Sequence, residues 1–430
     1  MKAKSNTNAR KTASWIGVSP EHTNTFRMMW IASFVIAMGW GLTIPLMTVL
    51  VVQAGATYQQ LGILQFFAAT ATILTQVLVG RASDAMGKRK PALVAGILLA
   101  VPVLFFYPRA EGLVVFGILL ALHGVTYNAN RLVMSAWVSS WTDQENMGRT
   151  HGAFRIAGSL GWIIAAPFLG VLLDRYGAKL TFALGAALYL AMAIFIVIFI
   201  KEKVELKGGS GEAENLKPKE KRANASKEAR SFWTFELKMF LVALGVFAFA
   251  QGMGQNLNSV FLVDELGVSN SQFGWITSIQ AWLEVPLMLG LGIISDRFNP
   301  ALVLGLSIFV SGARWFLLTV VNNTTWVFGI QSLHAVGITV AEVLAIAFVA
   351  RLVPSKYLGT FIGWKISVQS AASLLTPMIA GNIAHYFGIR TVFRVSGLLP
   401  LLSCLILYLV YRSVRSTTKG SKVGTTVEKG

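Results

Sequence analysis

Seven ionisable side chains lie inside otherwise apolar stretches of this 430-residue sequence: Glu284, Glu342, Arg131, Arg314, Lys365, His123 and His334. An ionised group inside a bilayer costs at least ~2.5–3.5 kcal/mol on insertion scales, so each is a candidate for function. With a helical rise of ~1.5 Å per residue, Glu284, His123 and His334 fall near the middle of their stretches. Protonating a carboxylate at that depth removes a costly charge, which suits a group that loads and unloads a proton. Histidine can titrate near neutrality. A structural reading stands beside this one: Arg314 can neutralise Glu284 as a fixed pair, and the histidines can hydrogen-bond between packed helices. Arg131 and Glu342 are opposite in sign and 211 residues apart. They suit a charge pair that forms and breaks, or two side chains that snorkel to the nearer interface.

A second set could bind a solute. Trp40 precedes Gly41, Thr43 and Pro45; Tyr127 and Asn128 adjoin Asn130; Gln251, Gln255 and Asn256 share one stretch; Trp364 and Lys365 precede Gln369. Aromatic faces beside amides fit a sugar or another polar organic molecule, by ring stacking and hydrogen bonds to hydroxyls. Hydrogen bonding between helices would use the same residues.

The elements that must carry these groups are membrane helices. The chain is 54% hydrophobic and only 13% charged, with mean hydropathy +0.62. Apolar runs near twenty residues long recur along almost its whole length, which specifies a polytopic all-α membrane protein. Twelve spans are expected near residues 28–50, 61–79, 91–107, 112–135, 153–173, 180–200, 237–260, 274–292, 301–320, 326–350, 361–384 and 392–411. They divide into a polar tail (1–27), a six-helix half (28–200), a linker (201–235), a second six-helix half (236–412) and a second tail (413–430). The linker is charged and lacks apolar periodicity, as a flexible connection does. The formal charge of +18 is unevenly distributed. Arg109, Arg175, Lys179, Arg390 and Arg394 lie on one side of this topology, Arg131 and Arg314 lie inside it, and the other basic residues lie on the opposite side or at helix ends. That asymmetry places both termini in the cytoplasm and reads as an orientation signal, not a nucleic-acid surface. The single cysteine, Cys404, excludes a disulfide within the chain.

The two halves repeat one another. Gly41, Gly148, Gly152, Gly170 and Gly177 return as Gly252, Gly359, Gly363, Gly381 and Gly388 at an offset of 211, and Gly55 and Gly62 return as Gly267 and Gly274 at 212. Gly80 and Asp84 return as Gly292 and Asp296, again at 212. Two similar six-helix halves with a site between them are a common build of secondary transporters. The segment Gly80-x-x-x-Asp84-x-x-Gly87-Lys88-Arg89 resembles the signature loop of the major facilitator superfamily, between its second and third helices. The second copy keeps Gly292, Asp296 and Arg297 and replaces the rest with Phe298-Asn299-Pro300. The resemblance implies a gate: Asp84, at the unfavourable end of its own helix dipole, would dock on the N-terminus of the eleventh helix, and Asp296 would do the same on the fifth. The residues around Glu284, Arg314 and His334 resemble the sugar-efflux and lactose-permease-like branches. The pattern departs from drug/proton antiporters at Leu120, where their fourth-helix arginine would fall, and in a first helix without an acid.

No phosphate-binding lysine loop, metal-ligand spacing or nucleophile elbow occurs, so no cofactor, metal or catalytic residue is expected. The expectation is a monomeric transporter in the plasma membrane of a prokaryote, driven by the proton gradient and exporting a small drug-like or sugar-like solute. Import by proton symport is the alternative. A non-transporting sensor or a membrane enzyme on the same fold is the remaining class.

Overall fold

In the computed structural model the described residues are 17–86, 88–142, 146–202, 233–350, 353 and 355–424. Within them, side chains at 20, 77, 80–86, 147–148, 288–297, 415–424 and several positions between 339 and 359 lie outside the description. Thirteen α-helices carry the described chain. They are α1 (Thr23–Gly41), α2 (Ile44–Gln53), α3 (Tyr58–Met86), α4 (Lys90–Phe106), α5 (Leu113–Ser139), α6 (Met147–Phe199) and α7 (Phe235–Val260). Then come α8 (Asn270–Arg297), α9 (Pro300–Leu318), α10 (Thr324–His334), α11 (Val340–Ala350), α12 (Ser355–Phe387) and α13 (Ile389–Gly424). No strand occurs among the described residues, which hold one isolated bridge, Val18 to Thr142.

Thirteen helices make twelve spans for local reasons. Pro45 has no N–H to give the Gly41 carbonyl, so the first span breaks into α1 and α2. The Thr43 hydroxyl satisfies part of the break by donating to the Gly39 carbonyl at 3.0 Å. α10 and α11 are one span joined by a π-turn at Ala335–Thr339. Conversely, α6 is 53 residues long and turns at Gly177, whose φ of 73° suits glycine alone, so it is two spans. Gly388, its partner at offset 211, has φ 84° and separates α12 from α13 in the same way. Caps fix other starts: Thr234 accepts from the Leu237 N–H, Asn299 from Ala301 and Asn323 from Thr325.

Among the described residues eight stretches are long and apolar enough to cross a membrane, one of them Arg149–Phe199 at 51 residues. α3, α8 and α12, with 29, 28 and 33 residues, are long enough and carry more polar side chains. Large apolar residues such as Phe67, Leu74 and Val114 face outward, as they must where the solvent is lipid.

Two units emerge from the packing. The first holds α1, α2, α3 from Phe67 onward, α4–α6 and residues 269–281; the second holds residues 57–66, α7, α8 from Trp282 onward and α9–α13. In the first, Met29, Leu93, Ile97, Tyr107 and Phe182 are buried. In the second, Phe240, Ile308, Leu344, Phe348 and Phe361 form one core. The repeat reappears as helix crossings. In the second unit the Gly62 and Gly381 backbones meet, with no room for a Cβ on either. In the first, Gly170 abuts Asn270 and Ser271, and Gly274 abuts Ala166 and Pro167. The fold is an all-α polytopic membrane protein of two six-helix halves.

Candidate functional site

α8, α9 and α10 each bring one ionisable side chain to a common point of the second unit. The Arg314 guanidinium donates through Nη1 to His334 Nδ1 at 2.5 Å, and His334 Nε2 lies 3.5 Å from Glu284 Oε1. Arginine has only donors, so the accepting Nδ1 carries no proton and the imidazole holds its hydrogen on Nε2, toward the carboxylate. Arg314 is fully buried, and its Nε and Nη2 have no hydrogen-bond partner. Its charge rests on the Trp315 ring face, 3.7 Å away. Trp315 is itself fixed: Nε1 donates to Gln251 Oε1 at 3.0 Å, and Gln251 Nε2 donates to Ser311 Oγ at 2.5 Å. His334 stands immediately before the π-turn, a local irregularity that recurs at functional positions. The arrangement is a three-member chain, carboxylate to imidazole to guanidinium, in which an added proton goes to Glu284, since both ring nitrogens of His334 are already committed.

A second charged cluster joins α11 to α12. Lys365 Nζ donates to Glu342 Oε2, Gln369 Nε2 donates to Glu342 Oε1 at 2.6 Å, and Lys365 also reaches Gln369 Oε1 at 3.4 Å. The lysine is buried and the carboxylate half-exposed. Glu342 therefore has a partner inside its own unit. The sequence placed Lys365 among solute ligands and Glu342 with Arg131, and did not join them to each other.

The first unit gathers aromatic groups instead. Trp40 and Tyr127 stack with ring centroids 3.4 Å apart, and Trp162 meets Trp40 edge-on at 5.7 Å. Trp40 Nε1 is buried without an acceptor. Arg131 follows Tyr127 by one turn on α5, and Arg155 lies on α6. Trp162 and Arg155 were not singled out in the sequence. Their positions on α6, seven residues apart, put them on one helix face, which is the spacing that marks them.

Other expected residues have local work. Asn128 Nδ2 donates to the Gly124 carbonyl of its own helix at 3.0 Å. Asn256 Nδ2 donates to Thr376 Oγ1 at 3.2 Å. Gln255 is exposed, and Trp364 is exposed with its ring edge against Trp233 at 5.7 Å. His123 is buried in α5 with no carboxylate beside it among the described residues.

Of the signature loop, Lys88 and Arg89 are described. Lys88 is exposed. The Glu202 carboxylate accepts the Arg89 N–H at 2.5 Å and the Lys90 N–H at 3.1 Å, capping α4. The Arg89 guanidinium binds the Ala136 carbonyl, and Lys90 Nζ returns the cap to the end of α6 through the carbonyls of Val197 (2.9 Å) and Ile200 (2.7 Å). Gly87, and the side chains of Gly80, Asp84, Gly292, Asp296 and Arg297, lie outside the described residues.

Comparison with known proteins places this geometry. The chain is 24% identical over 382 residues to a putative sugar efflux transporter of Deinococcus radiodurans, covering 86% of this chain and 94% of the relative. It is 24% identical over 383 residues to the sucrose permease of Escherichia coli, covering 86% and 90%. A crystal structure of a mutant of the nucleoside transporter NupG superposes with a TM-score of 0.74 at 14% identity, over 90% of this chain and all of that one, and so shares the fold. The model of the MFS_1-like family matches residues 27–395, and the chain belongs to that family of membrane transport proteins.

Proposed function

We propose that this protein is a proton-coupled secondary transporter of a sugar or similar small organic solute, working by alternating access in the plasma membrane with both termini cytoplasmic. The observation that carries the coupling is the Glu284–His334–Arg314 chain. A buried guanidinium with two unpaired nitrogens holds the imidazole in one tautomer, so a proton arriving at Glu284 changes the charge of the whole group. With Glu284 ionised and His334 neutral the group is balanced, and a proton on Glu284 leaves the Arg314 charge uncompensated; that gain of net charge in a low-dielectric interior shifts the balance between conformations that bury it and conformations that wet it. A fixed ion pair would instead leave transport indifferent to pH.

Export is the direction first proposed, in line with the sugar efflux relative. Import by symport is the second reading, favoured by the sucrose permease. The same chain of three groups serves either, since coupling requires only that proton and solute share the conformational change.

Asp84 and Asp296 are proposed as inner gate residues through the helix N-termini they would meet. Replacing Asp84 by Asn is expected to slow flux while leaving insertion and the amount of folded protein unchanged; wild-type rates would remove the gate role. The reading as a whole is tested by reconstituting the full chain in liposomes and following labelled sugars and drug-like solutes with pH gradients of either sign. Solute movement that follows the gradient supports it. Movement of no solute under either gradient contradicts it.

A further inference from the structure

The two units treat charge differently. In the second, buried Arg314 and Lys365 stand with Glu284 and Glu342, two cations to two acids. In the first, Arg131 and Arg155 stand within α5 and α6 with no carboxylate at ion-pair distance among the described residues. From Gly17 to Glu202 the acids are Glu21, Asp84, Glu111, Asp143, Glu145, Asp174 and Glu202; Asp143, Glu145 and the Asp84 side chain lie outside the described residues, and the others stand in loops or near helix ends.

Depth sharpens the point. Arg131 lies eight residues before the end of α5 at Ser139, and Arg155 eight residues after the start of α6 at Met147. The two ends adjoin in the chain, so both arginines sit ~12 Å along their helices from the same face. Both side chains are exposed; Arg131 follows Tyr127 by one helical turn on α5, and Arg155 precedes Trp162 by two turns on α6. Beyond Tyr127 the stacked Trp40 and edge-on Trp162 extend an aromatic surface that ends in an indole N–H lacking an acceptor. Two guanidiniums match a planar or tetrahedral oxyanion by paired hydrogen bonds. Adjacent aromatic faces match a ring.

We infer that the first unit binds its solute as an organic anion, a carboxylate or phosphate ester carried on a ring, with the anionic group on Arg131 and Arg155 and the ring on the Trp40–Tyr127–Trp162 cluster. The inference rests on the transporter reading for its biological sense and names the substrate class of that reading. The solute supplies a negative charge that no described side chain brings to the two arginines, and an uncharged sugar does not.

The test uses the purified full-length protein in lipid nanodiscs. The probes are 3-hydroxybenzoate, glucuronate and glucose 6-phosphate, set against neutral 3-hydroxybenzamide and glucose; the three anions separate aromatic acid, sugar acid and sugar phosphate. Tryptophan fluorescence reads binding. At least one anion is expected to bind roughly tenfold or more tightly than its neutral counterpart, with the preference lost in both Arg131→Gln and Arg155→Gln and partly kept in Arg131→Lys. Phenylglyoxal labelling of the unsubstituted protein, read by mass spectrometry, covers the case of a variant that does not fold. The bound anion should slow labelling at both arginines, and the neutral probe should not. Equal affinity for anion and neutral partner, or no protection by any of the three anions, overturns the inference. Liposome flux separates the two readings. Transport of a neutral sugar without anion binding leaves the transporter and removes the anion site; protection without flux of any solute does the reverse.

Discussion

The first unit presents two arginines with no acid beside them among the described residues, next to an aromatic stack, whereas the second presents Lys365 paired with Glu342 and a Glu284–His334–Arg314 chain. The repeat makes the contrast meaningful, because the halves share helix crossings and turning glycines and differ in what fills the interior. Gly62 on Gly381 and Gly170 on Asn270 are the same scaffold written twice. Arg131 and Glu342 occupy equivalent positions in it, yet Glu342 is neutralised from the next helix while Arg131 has no carboxylate at ion-pair distance among the described residues. A duplicated scaffold thus separates two tasks. The second unit holds charges whose sum a proton can change, and the first offers charge to a solute.

The largest expected effect tests the pairing in the second unit. Lys365→Met leaves the half-exposed Glu342 carboxylate with one partner and should cost about 2–3 kcal/mol, less than a fully buried pair would, seen as a lower midpoint in thermal unfolding in detergent. The double variant Lys365→Met/Glu342→Gln should recover most of that loss. Additive losses would mean that the two groups do not act as a pair. Next comes the shared scaffold. Gly381→Leu forces a side chain into the Gly62 backbone and should destabilise by about 1–3 kcal/mol by the same measurement. A neutral result would show that the crossing tolerates separation and is not a fixed feature of both halves. The smallest effect belongs to the first unit: Arg131→Gln should change stability by no more than about 0.5 kcal/mol, because no acid among the described residues is orphaned. A loss as large as that of Lys365→Met would erase the contrast between the units.

Most of the fold was legible because membrane spans are written in composition and length, and because turning points need particular residues. The repeat of Gly177 at Gly388 located equivalent breaks, and both have positive φ. Charge positions were legible for the same reason: an ionisable residue inside an apolar stretch stands out. Partners were not. Glu284, Arg314 and His334 come from three helices, and their meeting depends on how each helix is rotated about its axis, which hydropathy leaves open. Lys365 and Glu342 are 23 residues apart across a turn and met for a similar reason. Arg155 was overlooked because a span beginning near 153 makes it an interfacial cation. The helix begins at Met147, which carries it two turns inward. Gln251 and Asn256 were chosen as solute ligands, and they hold Trp315 and Thr376. Amides serve both purposes with the same atoms, so side-chain type alone does not separate them.

The claim that the second unit couples protons through Glu284 is tested most directly by comparing two kinds of flux in liposomes containing the full-length protein. One is accumulation driven by an imposed pH gradient, and the other is counterflow of the same labelled solute without a gradient. With Glu284→Gln the account predicts that gradient-driven accumulation disappears and counterflow continues near the wild-type rate, since a neutral side chain mimics a permanently loaded site. Gradient-driven accumulation that persists in Glu284→Gln would contradict it.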